Sequence, residues 1–496
     1  MRSRKILLML TALMFLIISV TLSGCKVEQK IDTEKGDNMN ISSNVEVWLS
    51  TIDQKNLLTE QPAIIPESTN KAKKNTSSEK LVISVNPEIT YQQMDGFGAS
   101  FTDASAWLVF KVLPEEDRNE LMEKLFTKEK GINMSFLRQP MGASDFAHKL
   151  YSYDDMPKGE TDFNLEKFSI NHDKEYIIPA VKQAITLNPK LKVMASPWSA
   201  PGWMKTSDNL IGGALRLDAY EVYSKYFSKF IKTYEEEGIP IYAITPQNEP
   251  MYVPTEYTGM RMDPNEQVNF INNYLGPEFE KNNINTKIIA YDHNWDLKAY
   301  PMVVLKEASK YVAGSAWHCY GGTHDAMTAV HDKFPDKEIW FTEASGGEWV
   351  PPFKDAFNDQ MMHVIRATRN YAKTVVWWNI ALDQNNGPTV LSNSTCRGIV
   401  KIDTDTKEVT YNLDYYTMGH ISKFVEPGAY RIDSDNYQDE VETVAFKNPD
   451  NSIALIAHNR SRSEKSFQVN YGSSSYEYTL PSNAAVTFTW NMNSGN

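Results

Sequence analysis

From Gln93 onward two patterns alternate along the chain. Short runs of apolar, β-branched and aromatic residues are separated by longer amphipathic stretches. Eight short runs read as strands: DGFGASF (95–101), NMSFLRQ (133–139), KVMASPW (192–198), IYAITPQNE (241–249), KIIAYDHNW (287–295), GSAWHCY (314–320), EIWFTEA (338–344) and TVVWWNIA (374–381). They hold too few polar positions for a sheet with one wet face, so each is expected to be buried on both sides. The intervening stretches carry helical spacing. In DAYEVYSKYFSKFIKTYEEEG, Tyr220, Tyr223, Phe227, Phe230, Ile231 and Tyr234 recur at three- and four-residue steps, and Gly238 is placed to end the helix. NEQVNFINNYLGPEFEKN before the fifth strand and QMMHVIRATRNYA before the eighth read the same way.

Eight strands alternating with helices predict an α/β chain folded as a TIM (β/α)8 barrel. The rival, an open doubly wound sheet, calls for a glycine-rich phosphate loop after its first strand, and GFGASF lacks the GxGxxG spacing. The flanks differ from the middle. VEVWLSTIDQKNLLTEQ and LVISVNPEITYQQM before the barrel, and AYRIDSDN, VETVAFKNPDNSIALIAHNRS, KSFQVNYG and YEYTLPSNAAVTFTW after it, are strand-like runs at hairpin spacing. Together they predict one side β-sandwich built from both ends of the chain. The polar run from Asn70 to Lys80 reads as a loop.

The start of the chain has a different character. MRSRK is a basic n-region and ILLMLTALMFLIISVTL an apolar h-region, the signature of an export signal. LSGC follows, and it resembles the lipobox of bacterial lipoproteins, in which Cys25 becomes the lipidated N-terminus. The expected organisation is therefore a lipoprotein signal over 1–25 and a flexible tether over 26–43. The N-terminal strands of the sandwich follow over 44–92, the barrel over 93–424, and the rest of the sandwich over 425–496. The product is expected outside the cytoplasm, meeting the membrane only through its lipid anchor. A net charge of −13, with no basic patch, argues against nucleic acid as a partner. Cys319 and Cys396, the remaining cysteines, read as free thiols. No HExxH, Cys/His cluster or aspartate-rich loop argues for a metal, and no cofactor is implied.

In such a barrel chemistry sits at the carboxyl ends of the strands. Those ends carry Asp103 after the first strand, and Arg138 with Asp145 at the second. The third brings Trp198, and the fourth Asn248 and Glu249. The sixth gives His318 and Tyr320, the seventh Glu343, and the eighth Trp378. Two glutamates thus reach one mouth from different strands, among amides and tryptophans. That pairing suits glycoside hydrolysis, in which one carboxyl protonates the departing oxygen and the other attacks the anomeric carbon. Trp faces pack well on sugar rings, and aromatics make up 11% of the chain. Arg138 and Tyr320 are placed to hold Glu343 charged. Asp103 and His318 read as supporting residues.

These residues carry a family resemblance. DGFGASFTDASAW, FLRQPMGASDF, ASPWSAPGWMK, TPQNEP, WHCYGG, WFTEAS and WWNIALDQNNGP, in that order, resemble glycoside hydrolase family 30. The family includes glucosylceramidases and β-1,6-glucanases. The resemblance implies a retaining β-glycosidase of β-D-glucosyl linkages, with Glu249 as acid/base and Glu343 as nucleophile. It implies a sugar subsite of Asp145, Trp198, Asn248 and Trp378, with Asn393 of TVLSN as a further ligand. Its substrate is expected to be a β-glucoside, a glucan or a glycolipid. Cys319 departs from the family, whose glucosylceramidases carry Trp between His and Tyr, so the aglycone side is expected to differ.

Overall fold

A computed structural model describes residues 40–69, 81–350 and 353–492. The export signal with Cys25, most of the tether and the 70–80 loop lie outside the described residues. Among those that are described, no helix is long and apolar enough to cross a membrane.

All eight barrel strands form where the pattern placed them: Gly96–Ser100, Phe136–Pro140, Lys192–Ser196, Ile241–Ile244, Lys287–Asn294, Val312–His318, Glu338–Glu343 and Thr374–Asn379. They pair in parallel, in chain order, with the eighth beside the first. The seventh and eighth are joined by Lys373 N–H to the Ile339 carbonyl (2.8 Å) and Ala344 N–H to the Val376 carbonyl (3.1 Å), which completes the ring. Phe136, Met194, Ala243, Ile289, Ala316, Trp340 and Val376, one from each strand after the first, fill the interior. The barrel is therefore a packed core whose strand ends alone are open to chemistry.

The fourth strand is shorter than its apolar run. It stops at Ile244, because Pro246 has no N–H to give a ladder and Glu249 takes a left-handed backbone conformation with φ +45°. TPQNEP is thus both a turn and the platform for a carboxylate. The Tyr220–Glu236 helix buries the expected stripe, and Gly238 follows with φ +83°. The helix before the fifth strand starts at an Asp263–Glu266 capping box and opens into a π-turn over Ile271–Leu275. The cause is Pro277 in the next turn, which removes a helix donor.

Both flanks enter one sandwich. Val45–Thr51 pairs antiparallel with Ala484–Asn491, while Leu81–Gln93 pairs with Tyr430–Ser434 on one edge and in parallel with Lys465–Tyr471. Its own core includes Val45, Val47, Ile83, Leu455, Phe467, Phe488 and Trp490.

Candidate active site

The carboxyl ends of the strands open into a cavity of about 840 Å³. Glu249 and Glu343 are in its wall, and with His318 each offers an atom such that all three lie within 4.8 Å of one another. The two glutamates come from the corner after the fourth strand and the last residue of the seventh.

Local bonding fixes the Glu249 corner. Asn248 N–H donates to the Pro197 carbonyl (2.8 Å) and Glu249 N–H to the Asp292 carbonyl (3.0 Å). The Gln247 amide donates to the Trp198 carbonyl (2.6 Å), tying the corner to the third strand's exit. The Glu343 carboxylate is gripped on both oxygens: Arg138 Nη1 donates to Oε2 at 2.5 Å and the Tyr320 hydroxyl to Oε1 at 2.8 Å. Tyr320 exposes its ring while its hydroxyl lies against Glu343 and Ser345 (2.7 Å).

Arg138 is fully buried, and its second nitrogen donates to Asn248 Oδ1 (2.6 Å) and Asp292 Oδ2 (2.8 Å). Asp292 is the hub beneath the site. It also accepts from Ser196 (2.8 Å), Thr245 (2.8 Å), Thr342 (2.7 Å) and His318 Nε2 (2.9 Å). Burial opposes its charge, but Arg138 and His318 hold its carboxyl well below the usual range. His318 is pushed the other way. Burial would lower its pKa, yet the Glu343 and Asp292 carboxylates raise it to about 9. Both ring nitrogens then donate, Nε2 to Asp292 and Nδ1 to Glu249 Oε1 at 3.2 Å. For Glu249, burial raises the pKa, but the His318 hydrogen bond and charge, then His293 and Arg138, bring it below its ordinary value. The glutamates and His318 have the spacing of a cation site, but the Arg138 guanidinium already balances charge there, and a protonated imidazole offers no lone pair.

Asp145 lines the same cavity with one oxygen, Oδ1, buried and without a partner. Burial, then the charge of Glu343, pushes its carboxyl up to about 8, so it is a neutral O–H donor at pH 7. Trp198 and Trp378 stack on each other at 4.9 Å, with the Arg138 guanidinium 4.8 Å and 5.5 Å from their rings. They form a single wall rather than two facing ones.

Two expected residues are elsewhere. Asp103 is buried away from the cavity lining, where its carboxylate takes hydrogen bonds from His148 N–H (2.9 Å) and the Tyr176 hydroxyl (2.6 Å) and meets the His172 ring (2.6 Å). It braces the first βα corner. Asn393 is exposed and does not line the cavity. Its loop is anchored three and four residues earlier, by Val390 N–H and the Thr389 hydroxyl on the Asp145 carbonyl, and Cys396 reaches the cavity instead. Cys396 and Cys319 are both free thiols in that lining. Sequence reading missed Asp292, Tyr257 and Trp295. For Asp292 the available signal was a lone carboxylate in the otherwise apolar run KIIAY.

The pattern of the glycosyl hydrolase family 30 TIM-barrel domain matches residues 94–425, and that of the family's β-sandwich domain matches residues 428–488. The chain belongs to glycosyl hydrolase family 30. Within reach of this family 30 chain is an endo-1,6-β-D-glucanase of Neurospora crassa, 33% identical over 399 residues, 77% of this chain and 82% of the relative. The mouse (Mus musculus) lysosomal acid glucosylceramidase is 29% identical over 412 residues, 78% of this chain and 79% of that one. A solved endo-β1,6-glucanase superposes with a TM-score of 0.82 at 31% identity, covering 90% of this chain and 99% of its own.

Proposed function

We propose that this family 30 chain is a retaining β-glycosidase that hydrolyses β-D-glucosyl linkages, with Glu343 as nucleophile and Glu249 as acid/base. One observation carries the reading: carboxylate oxygens from two different strands come within 4.8 Å across one cavity. That approach suits the roughly 5–5.5 Å separation of carboxyls in retaining enzymes better than the roughly 6.5–9.5 Å of inverting ones.

The steps follow from the bonding. Glu343 attacks the anomeric carbon as the glycosidic C–O bond breaks, and a proton from Glu249 goes to the departing oxygen. A glycosyl ester on Glu343 results. Water then attacks the same carbon, Glu249 takes its proton, and the ester bond breaks to free Glu343. Glu249 Oε1 and His318 Nδ1 are 3.2 Å apart, so the acid works beside an imidazole whose hydrogen bond and charge lower its pKa. Asp145 donates to a sugar hydroxyl, Asn248 lines the same cavity with its Oδ1 held by Arg138, which leaves the amide N–H to serve the 2-OH, and the Trp198–Trp378 wall supports the ring.

The reading extends to location. The basic start, apolar run and LSGC motif support an exported enzyme held by lipid on Cys25. The chemistry is tested with Glu343→Gln, which keeps the carboxyl's shape and removes its charge. It is expected to fold and to lose activity by orders of magnitude, and azide is expected to restore turnover in Glu343→Gly. Full activity in Glu343→Gln would end the assignment.

A further inference from the structure

We infer that the outer half of the cavity, walled by Trp295, Trp349, His324, His363 and Asp359, is a leaving-group subsite built for a sugar rather than for a hydrocarbon chain. The inference rests on the glycosidase reading above and adds the substrate class.

Barrel order gives the first reason. Glu249 follows the fourth strand and Glu343 ends the seventh, so the pair divides the ring of strands into two arcs. Asp145, Trp198 and Trp378 come from the arc of strands eight, one, two and three. Trp295 and His324 follow the fifth and sixth strands, on the other arc, and the Phe353–Arg369 helix supplies Asp359 and His363. All of these line the same cavity. A glycoside with its ring on the first arc therefore sends its leaving group into the second.

Met362, Val350 and Cys319 contribute apolar surface to that second half, but polar groups interrupt it and are incompletely satisfied. Trp295 is 3% exposed, and its indole N–H is buried without a partner. Its ring is held against His324 (4.2 Å) and Phe341 (5.4 Å). Behind it runs a relay in which His324 Nε2 meets His363 Nδ1 at 3.0 Å and His363 Nε2 meets Asp359 at 3.5 Å. At the mouth Trp349 is half-exposed, and its ring rests on the bare α-carbon of Gly347, where a Cβ would come within 2.0 Å of it.

Three classes of leaving group can be weighed against that lining. An acyl chain would leave the Trp295 N–H and the Asp359 end of the relay facing hydrocarbon, at the cost of unpaired buried groups. An anionic group would meet the Asp359 carboxylate, which His363 and Arg460 keep charged, while the Arg366 guanidinium is committed to Glu442 (2.7 and 2.6 Å) and Asp439 (3.0 Å). A pyranose satisfies both demands: its hydroxyls accept from Trp295 and donate to Asp359, and its apolar face lies on Trp349.

The test compares three substrates, a β-1,6-linked glucose disaccharide, an aryl β-glucoside and a long-chain alkyl β-glucoside, on the full chain. The wild type is expected to favour the disaccharide over the alkyl glucoside in kcat/KM. Trp295→Phe keeps an aromatic ring and removes the N–H. Asp359→Asn removes the charge. Each is expected to lower the disaccharide-to-aryl ratio of kcat/KM by about tenfold or more, as when a hydrogen-bonding site loses its partner. Gly347→Ala, which displaces Trp349 from the surface, is expected to move the ratio the same way. Equal losses on disaccharide and aryl glucoside, or a wild-type preference for the alkyl chain, would overturn the subsite while leaving the glycosidase reading intact. No turnover of any β-glucoside by the wild type would overturn both.

Discussion

His318 Nδ1 lies 3.2 Å from Glu249 Oε1, so the acid of the site is a carboxyl with an imidazole at its side. The folded pKa of His318, about 9, lies above its ordinary 6.5. Its charge therefore stabilises the fold fully below pH 6.5, and that contribution is lost as pH rises through 9. His318→Gln is expected to lower Tm at pH 6 and to narrow the gap above pH 9. It should also move the basic limb of kcat/KM to higher pH, because Glu249 then loses the neighbour that lowers its pKa. A purely structural histidine would shift Tm and leave that limb in place.

Arg138 is expected to tolerate no replacement. It is fully buried and reaches Glu343, Asn248 and Asp292 at once, a pattern that needs a planar fork. Arg138→Ala leaves Asp292 and Glu343 without their cation, which costs roughly 3–5 kcal/mol for a buried pair broken on one side. Arg138→Lys keeps the charge and is expected to fold more stably than Arg138→Ala, yet to lose at least about tenfold in kcat for want of the second contact. Urea unfolding with steady-state kinetics separates the two effects.

Asp145 works in the opposite sense. Its pKa of about 8 lies above the ordinary 3.8, so the wild type loses stability as pH rises through this window. Asp145→Asn removes that dependence. The variant is expected to exceed the wild type in Tm at pH 8, by at least about 2 °C, and to match it near pH 4. It should also keep more activity at pH 7 than Asp145→Ala, because the amide still donates a hydrogen bond to the sugar.

The lipid anchor is tested apart from the chemistry. Cys25→Ser in the full chain is expected to release the enzyme from the membrane fraction with its kcat unchanged. Retention on the membrane would point to an uncleaved apolar segment instead.

Much of this architecture was legible in the order of residues. Strands buried on both faces have a distinctive composition, and polar groups at their ends have few reasons to be there except chemistry. Glu249, Glu343, Arg138 and Tyr320 were visible on those grounds and do converge. Asp292 was not, because a residue that serves only other side chains leaves no motif of its own. Its role depends on five neighbours drawn from the second, third, fourth, sixth and seventh strand regions, which only the closed ring brings together. Asn393 failed for a related reason. A long loop carries no periodicity from which orientation can be read, and this one is set by bonds to the Asp145 carbonyl.

Two carboxyl groups act on one glycosidic bond, Glu343 on the anomeric carbon and Glu249 on the departing oxygen, with a covalent stage between. Proton NMR of an aryl β-glucoside digest, recorded before mutarotation, reads that outcome directly. The β-anomer of glucose is expected to appear first. Release of the α-anomer first would mean a single displacement by water, and the approach of Glu249 to within 4.8 Å of Glu343 would not be the reacting geometry.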